Sequence, residues 1–219
     1  MAEILHGIFI GPFRDMAASP AFLIEVLLGG LFTGLMYSLV ALGFVLIFKA
    51  SGVFNFAQGV MVLFAALTLV GLMERGMPVA AALVLTMAVM VALAFVIERV
   101  VLRPLVNQEA IILFMATIGL NFFLEGFGEL LWGAKSGVQF SLSLVALKAL
   151  PVLILGGFTS VPGAIVGGLI VGVGEKLGEV YWGPLVGGAI ENWFAYVVAL
   201  VFLLFRPQGL FGERIIERV

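Results

Sequence analysis

Long runs of apolar residues without a charged side chain dominate this sequence. Residues 26–48, 50–73 and 77–97 each continue without an Asp, Glu, Lys or Arg. A helix rises about 1.5 Å per residue, so about 20 apolar residues cross the hydrocarbon core of a bilayer. Each of the three runs reaches that length. We therefore predict a protein that crosses the membrane several times.

The composition excludes several classes of protein. Hydrophobic residues make up 63% of the chain and charged residues 11%, whereas soluble domains have about 25% charged residues. With 11 Lys and Arg against 13 Asp and Glu, no basic surface for nucleic acid is expected. The chain has no cysteine, and its one histidine, His6, lies near the N-terminus. This excludes a thiolate site, a Ser-His-Asp triad and a multi-histidine metal cluster in the membrane region, and no pair of carboxylates is spaced for acid–base catalysis. We therefore predict no metal site, no catalytic residues, no cofactor and no enzymatic activity.

The remaining apolar segments are shorter or interrupted, at residues 110–124, 136–147, 149–155, 164–174 and 185–205. Backbone groups in the hydrocarbon core must pair within the protein, which only helices or closed barrels achieve. The runs lack the alternation of apolar and polar residues that barrel strands show. The prediction is an all-α, polytopic transmembrane bundle of six to seven segments, some of them short or broken.

Three regions follow from this pattern: an N-terminal tail at 1–21, a transmembrane domain at 22–205 and a cytoplasmic tail at 206–219. With seven spans and a cytoplasmic C-terminus, six Lys or Arg residues fall inside and four outside. That is a weak excess in the direction that the positive-inside rule requires.

Two amide side chains, Asn55 and Gln58, lie at the start of an apolar run. Their spacing would place both on one helix face, turned toward the bundle interior because lipid contact would be costly. They could form hydrogen bonds between helices. Alternatively, they could belong to a bend or partly unwound turn that lines a substrate path, with Gly52 and Gly59 as helix breakers.

A second pair of polar residues, Thr117 and Asn121, is four apart and therefore on one side of a helix. They fit either a substrate path or an internal polar contact. Glycines also recur four apart, as at Gly30 and Gly34 and at Gly168 and Gly172. This spacing favours close helix packing, or helices that slide during transport.

A helix interruption is predicted around Gly156, Gly157 and Pro162, because proline lacks a backbone donor and glycine is flexible. Ser160 could cap the next helix. With Gly163, it could also line a substrate path if the break lies within the membrane. A short turn outside the membrane is the simpler explanation.

Few ionisable residues fall within the apolar segments. Lys148 is expected to extend its ammonium toward the membrane surface. The last helix is expected to start at residues 191–193, which places Glu191 at the interface. No intramembrane charge pair that would couple transport to ions is expected, which argues against a secondary transporter or a channel acting without an ATPase.

Several motifs, in this order, resemble the permeases of branched-chain amino acid ABC transporters of the LivH type. They are GLMYSLVALG at 34–43, GVFNFAQG at 52–59, ERVVLRPL at 98–105, ATIGL at 116–120, LGGFTSVPGA at 155–164 and FRPQGLFG at 205–212. Within the transmembrane domain, the matching blocks are 22–134 and 146–205.

The resemblance implies import of branched-chain or other hydrophobic amino acids across the bacterial inner membrane; urea or short amides are alternative substrates. It implies a second related permease, two cytoplasmic ATPase subunits and a periplasmic substrate-binding protein as partners. ATP would be bound by the ATPases, since this chain has no phosphate-binding loop motif.

The chain departs from that family in length. Its junction near 135–145 is short, and a charged loop that would couple to the ATPase is missing, as after an internal deletion. The alternative to transport is therefore a structural, non-transporting subunit that couples poorly to ATP hydrolysis.

Overall fold

The computed structural model describes residues 7–105, 107–133 and 141–212. Parts of both predicted tails and of the shortened junction lie outside these residues. The described residues are helical and contain no strand, which confirms the all-α prediction. The helices are α1 Gly11–Ala18, α2 Pro20–Ser51, α3 Gln58–Glu74, α4 Val79–Ile97, α5 Ala110–Trp132, α6 Ser141–Gly156, α7 Val161–Leu177, α8 Gly183–Val186 and α9 Ile190–Phe205.

Within the described residues, four helical stretches are long and apolar enough to cross a membrane: Pro20–Ser51, Val79–Leu105, Ile111–Trp132 and Val161–Val186. Two of them continue past an α-helix through a π-helical turn, at Glu98–Leu102 after α4 and at Gly178–Trp182 after α7. Shorter apolar helices cover Gln58–Glu74, Val145–Gly156 and Ile190–Phe205. The described part of the chain is thus a multi-pass helical membrane protein.

The length of the apolar run 50–73 predicts one continuous helix, but the structure shows a break within this run. Helix α2 ends at Ser51, and α3 begins only at Gln58. Gly52 between them has a φ of +69°, a left-handed conformation that few other residues adopt. By contrast, Lys148 and Pro151 lie inside the continuous helix α6. Apolar composition therefore did not locate the helix ends here.

The chain divides into two compact units. The first unit contains Met1–Leu46 and Lys148–Val219, and the second contains Ile47–Leu147. In the second unit, α3, α4 and α5 pack around a buried apolar core. This core consists of Ala57, Val60, Leu63, Leu67, Ile97, Leu120 and Leu124.

In the first unit, α2 packs against α7 along glycines. A Cβ atom on Gly34 would lie 2.8 Å from the carbonyl oxygen of Gly168, and one on Gly30 would lie 2.8 Å from the Cα of Val173. Because these neighbours are backbone atoms, no side-chain rotation could make room. The glycine spacing therefore marks close helix packing, one of its two predicted meanings.

Candidate functional site

The polar turn between α2 and α3 is built from local hydrogen bonds. The Ser51 hydroxyl donates to the carbonyl of Ile47 (2.8 Å) and accepts from the N–H of Val53 (3.2 Å). Asn55 Oδ1 accepts from the N–H of Ala57 (3.1 Å). The Asn55 side chain thereby takes the place of a backbone partner, as asparagine often does in turns. The predicted unwound turn is present.

Helix α5 packs against this turn through Thr117. The Thr117 hydroxyl accepts from the N–H of Phe56 (3.2 Å) and donates to the carbonyl of Phe114 (2.8 Å). The rings of Phe56 and Phe114 pack edge to face, with centroids 5.6 Å apart. Thr117 is 1% exposed and Asn55 is 6% exposed. Two predicted path residues therefore belong to one buried arrangement.

A cavity of about 430 Å³ opens beside this arrangement in the second unit. Small-molecule sites typically have about 300–1,000 Å³. The cavity combines apolar, amide, hydroxyl and charged groups. It is lined by Ile47, Ser51, Val53, Asn55, Glu98, Leu102, Arg103, Asn107, Leu113 and Thr117.

The oxygen and the nitrogen of the Asn55 side-chain amide have hydrogen-bond partners of different strength. Its Oδ1 accepts a hydrogen bond within the turn, and among the described residues its amide nitrogen contacts only the sulfur of Met61, at 3.8 Å. Thioether sulfur is a weak acceptor. A carboxylate or carbonyl oxygen entering the cavity would accept from the Asn55 amide more strongly. Thr117, in contrast, already has a donor and an acceptor in the protein.

The other predicted residues of the second unit have different positions. Asn55 precedes α3, so it does not share a helix face with Gln58, and that expectation was wrong. Gly59 is the second residue of α3 and is therefore not a helix break. Asn121 is half-buried on α5, and neither it nor Gln58 lines the cavity.

The predicted interruption of the first unit lies between α6 and α7. Gly156 ends α6, and Gly157 follows with a φ of +101°. The Ser160 hydroxyl accepts from the N–H of Gly163 (3.1 Å), which confirms the predicted cap. Pro162 lies in the first turn of α7, where its missing donor costs little. The interruption is therefore a tight turn only a few residues long.

The C-terminal motif packs on this turn. The N–H of Leu210 donates to the carbonyl of Leu155 (2.7 Å), and that of Phe211 donates to the carbonyl of Gly156 (3.2 Å). A Cβ on Gly209 would lie 2.6 Å from the nitrogen of Gly157. Two motifs distant in sequence therefore form one structural element.

A buried charged cluster of the first unit was missed by the sequence analysis. Glu175 on α7 is 2% exposed. Its Oε2 accepts from the Tyr37 hydroxyl (2.8 Å) and lies 3.4 Å from Lys148 Nζ. The Lys148 ammonium also lies 5.7 Å from the centre of the Tyr37 ring. The cluster joins α2, α6 and α7, and Lys148 and Glu175 form a charge pair between two apolar helices, so the expectation of no such pair was wrong.

A signal for this cluster was present in the sequence. Gly168, Gly172 and Glu175 are spaced four and three apart, so they share one helix face. The glycine face packs against α2, which predicts that Glu175 is buried there too. Ending the apolar stretch at residue 174 concealed this. Glu191, however, lies in the first turn of α9, as predicted.

The apolar spans define a multi-pass membrane protein, and its second unit contains a cavity lined by both polar and apolar groups. Residues 26–143 match the family model described as branched-chain amino acid transport system, permease component. Because this match covers more than half of the sequence, the chain belongs to that family.

Curated relatives agree with this assignment. The chain is 22% identical to the high-affinity branched-chain amino acid transport system permease protein BraD of Pseudomonas aeruginosa. It is 20% identical to the corresponding protein LivH of Salmonella typhimurium and of Escherichia coli K12. Each alignment covers 90% of this chain and 98% of the relative. No solved structure is a significant match.

The alignment with BraD also shows how the two proteins differ in length. The alignment with BraD extends over 304 positions, although this chain has 219 residues. Since it covers 98% of BraD, that protein has internal residues without a counterpart here. The chain is therefore shortened internally relative to BraD. The location of the shortening near 135–145 stays a prediction.

Proposed function

We propose that this chain is a permease subunit of an ABC importer for branched-chain or other hydrophobic amino acids, and that the cavity of the second unit lines its substrate path. Membership of the permease family carries the first part of the proposal. The Asn55 amide in a cavity of about 430 Å³ supports the second. The predicted path residues Ser160 and Gly163 are proposed only as a structural turn.

The cavity offers a partner for each part of a zwitterionic amino acid. The Asn55 amide and the Arg103 guanidinium are donors for a carboxylate, and Glu98 is an acceptor for an ammonium group. Ile47 and Leu113 provide apolar contact for a hydrocarbon side chain. This combination favours an amino acid over urea, which has neither a charge nor an apolar side chain.

Transport would need the partners that the family resemblance implies. A periplasmic binding protein would deliver the amino acid, and a second permease would complete the path. Two ATPase subunits on the cytoplasmic side of the bacterial inner membrane would bind and hydrolyse ATP. This chain itself would then need neither a cofactor nor catalytic residues.

Uptake of radiolabelled leucine into proteoliposomes with these partners tests the proposal. Asn55→Asp keeps the oxygen that accepts from Ala57 but removes the amide donor. Loss of one hydrogen bond to a charged ligand, together with repulsion between the new carboxylate and that of the substrate, should lower the uptake rate by about tenfold or more. Thr117→Ser, which keeps the hydroxyl bonded to Phe56, serves as the matched control and should transport normally.

Thermal unfolding separates loss of function from loss of fold. If Asn55→Asp unfolds at the same temperature as Thr117→Ser and transports leucine at the same rate, the cavity is not on the substrate path. Unlabelled urea should not compete with leucine. Competition by urea at concentrations similar to those of isoleucine would contradict the proposed substrate class.

A further inference from the structure

Helix α1 is held against the π-helical turn that follows α7 by an aromatic contact. The rings of Phe13 and Trp182 pack edge to face with centroids 5.6 Å apart, and the Trp182 indole donates to the carbonyl of Ile8 (3.1 Å). On the same side of α1, Pro12 is buried and Met16 is half-buried. These contacts fix one side of α1 on the first unit.

A second side of α1 is apolar and exposed. Phe13 is 59% exposed, and Phe9 and Ile10, which directly precede α1, are 64% and 50% exposed. Successive helical residues are rotated by about 100°, so Ala17 continues the same side one turn after Phe13. Phe13 and Ala17, together with Phe9 and Ile10 before the helix, are termed the apolar side of α1. So much exposed aromatic and aliphatic surface would be unfavourable in water.

The remaining side of α1 is polar. Arg14 and Asp15 are exposed, and Ala18 lies on the same side as Arg14, one turn later. A helix that carries an apolar side next to a charged side suits the boundary between lipid and water.

The position of α1 in the fold agrees with this boundary. Only Ser19 separates α1 from α2, which is long enough to span the membrane. At the start of α2, Phe22 packs near Tyr181, with ring centroids 6.3 Å apart. Tyr181 and Trp182 belong to the last turns of another spanning stretch. Aromatic rings at the ends of spans are typical of membrane interfaces.

We propose that α1 lies along the membrane surface, with its apolar side in contact with lipid. The apolar side continues into the exposed Phe22 and Ile24 of α2, which a spanning helix presents to lipid. The occupant of this surface is therefore the boundary of headgroups and acyl chains, rather than a second protein. Arg14 and Asp15 extend toward water. This inference does not depend on the transported substrate.

Two neighbouring alanines provide a matched test. The chain has no cysteine, so single cysteines can be labelled without removing others. Ala17→Cys places a label on the apolar side of α1, and Ala18→Cys places it on the polar side. Both side chains are exposed, so neither change should disturb the fold. Val91→Cys, exposed in the spanning helix α4, provides a reference within the membrane.

Each variant of the full chain is labelled with bimane and reconstituted in phosphatidylcholine and phosphatidylglycerol vesicles. A lipid carrying a nitroxide near its headgroup should quench the label at residue 17 several-fold more than that at residue 18. Iodide in the aqueous phase should instead quench the label at residue 18 more than the label at residue 17. Equal quenching of both labels would overturn the proposal. So would a label at residue 17 shielded from both quenchers, because a protein would then cover the apolar side.

Discussion

Replacing Gly34 by alanine should destabilise the packing of α2 against α7 in the first unit. The new Cβ would lie 2.8 Å from the carbonyl oxygen of Gly168 and 2.9 Å from the Cα of Leu169. Carbon atoms in favourable contact are about 3.5–4.0 Å apart. Both neighbours are backbone atoms, so relief requires the helices to separate.

The magnitude follows from two opposing effects. Overpacking a close-packed site costs about 1–3 kcal/mol. Alanine in place of glycine within a helix contributes about 1 kcal/mol in the other direction. Gly29→Ala isolates the second effect, because a Cβ on Gly29 has no atom within 4 Å. The difference between the two variants is therefore the steric cost alone.

Thermal unfolding in detergent, followed by circular dichroism, measures this difference. For a chain of this size, 1 kcal/mol shifts the midpoint by about 2–4 °C. We expect Gly34→Ala to unfold about 2–12 °C below Gly29→Ala. Equal midpoints would refute the close approach of the two helices.

Three further changes test individual contacts. Lys148→Met should destabilise the protein by about 3–5 kcal/mol, because Glu175 would be left buried without its cation. Adding Glu175→Gln to Lys148→Met should recover much of the lost free energy of unfolding, as measured by denaturant unfolding. If the double variant is no more stable than Lys148→Met, the pairing of Lys148 with Glu175 is contradicted. Thr117→Val should cost about 1–3 kcal/mol by removing the acceptor of the Phe56 N–H, whereas Thr117→Ser keeps that acceptor and should cost only about 1 kcal/mol through loss of a buried methyl group. Ser160→Ala should cost about 0.5–2 kcal/mol through loss of the α7 cap; equal midpoints for Ser160→Ala and Ser160→Thr would count against that role.

The sequence predicted features that depend on local chemistry. The length of the uncharged apolar runs predicted membrane spans, and Ser160, two residues before Pro162, predicted the α7 cap. Glycine spacing predicted close packing because it depends only on helix geometry. The position of Glu191 in the first turn of α9 followed from the cost of placing a carboxylate in lipid.

Features that depend on partners distant in sequence were harder to predict. The end of α2 at Ser51 lies within an uncharged run, so hydropathy gave no sign of it. The cluster of Tyr37, Lys148 and Glu175 requires three helices to meet, and an ionisable residue alone does not reveal its partner. The contact between Phe56 and Thr117 likewise joins residues 61 positions apart.

We propose, above all, that this chain conducts amino acids in partnership with ATPases. ATP-dependent uptake of radiolabelled leucine into proteoliposomes that contain the chain and the proposed partners tests it most directly. We predict uptake that requires ATP and decreases in Asn55→Asp but not in Thr117→Ser. A correctly folded, ATPase-bound complex that takes up no leucine, under conditions in which a full-length relative does, would contradict the account.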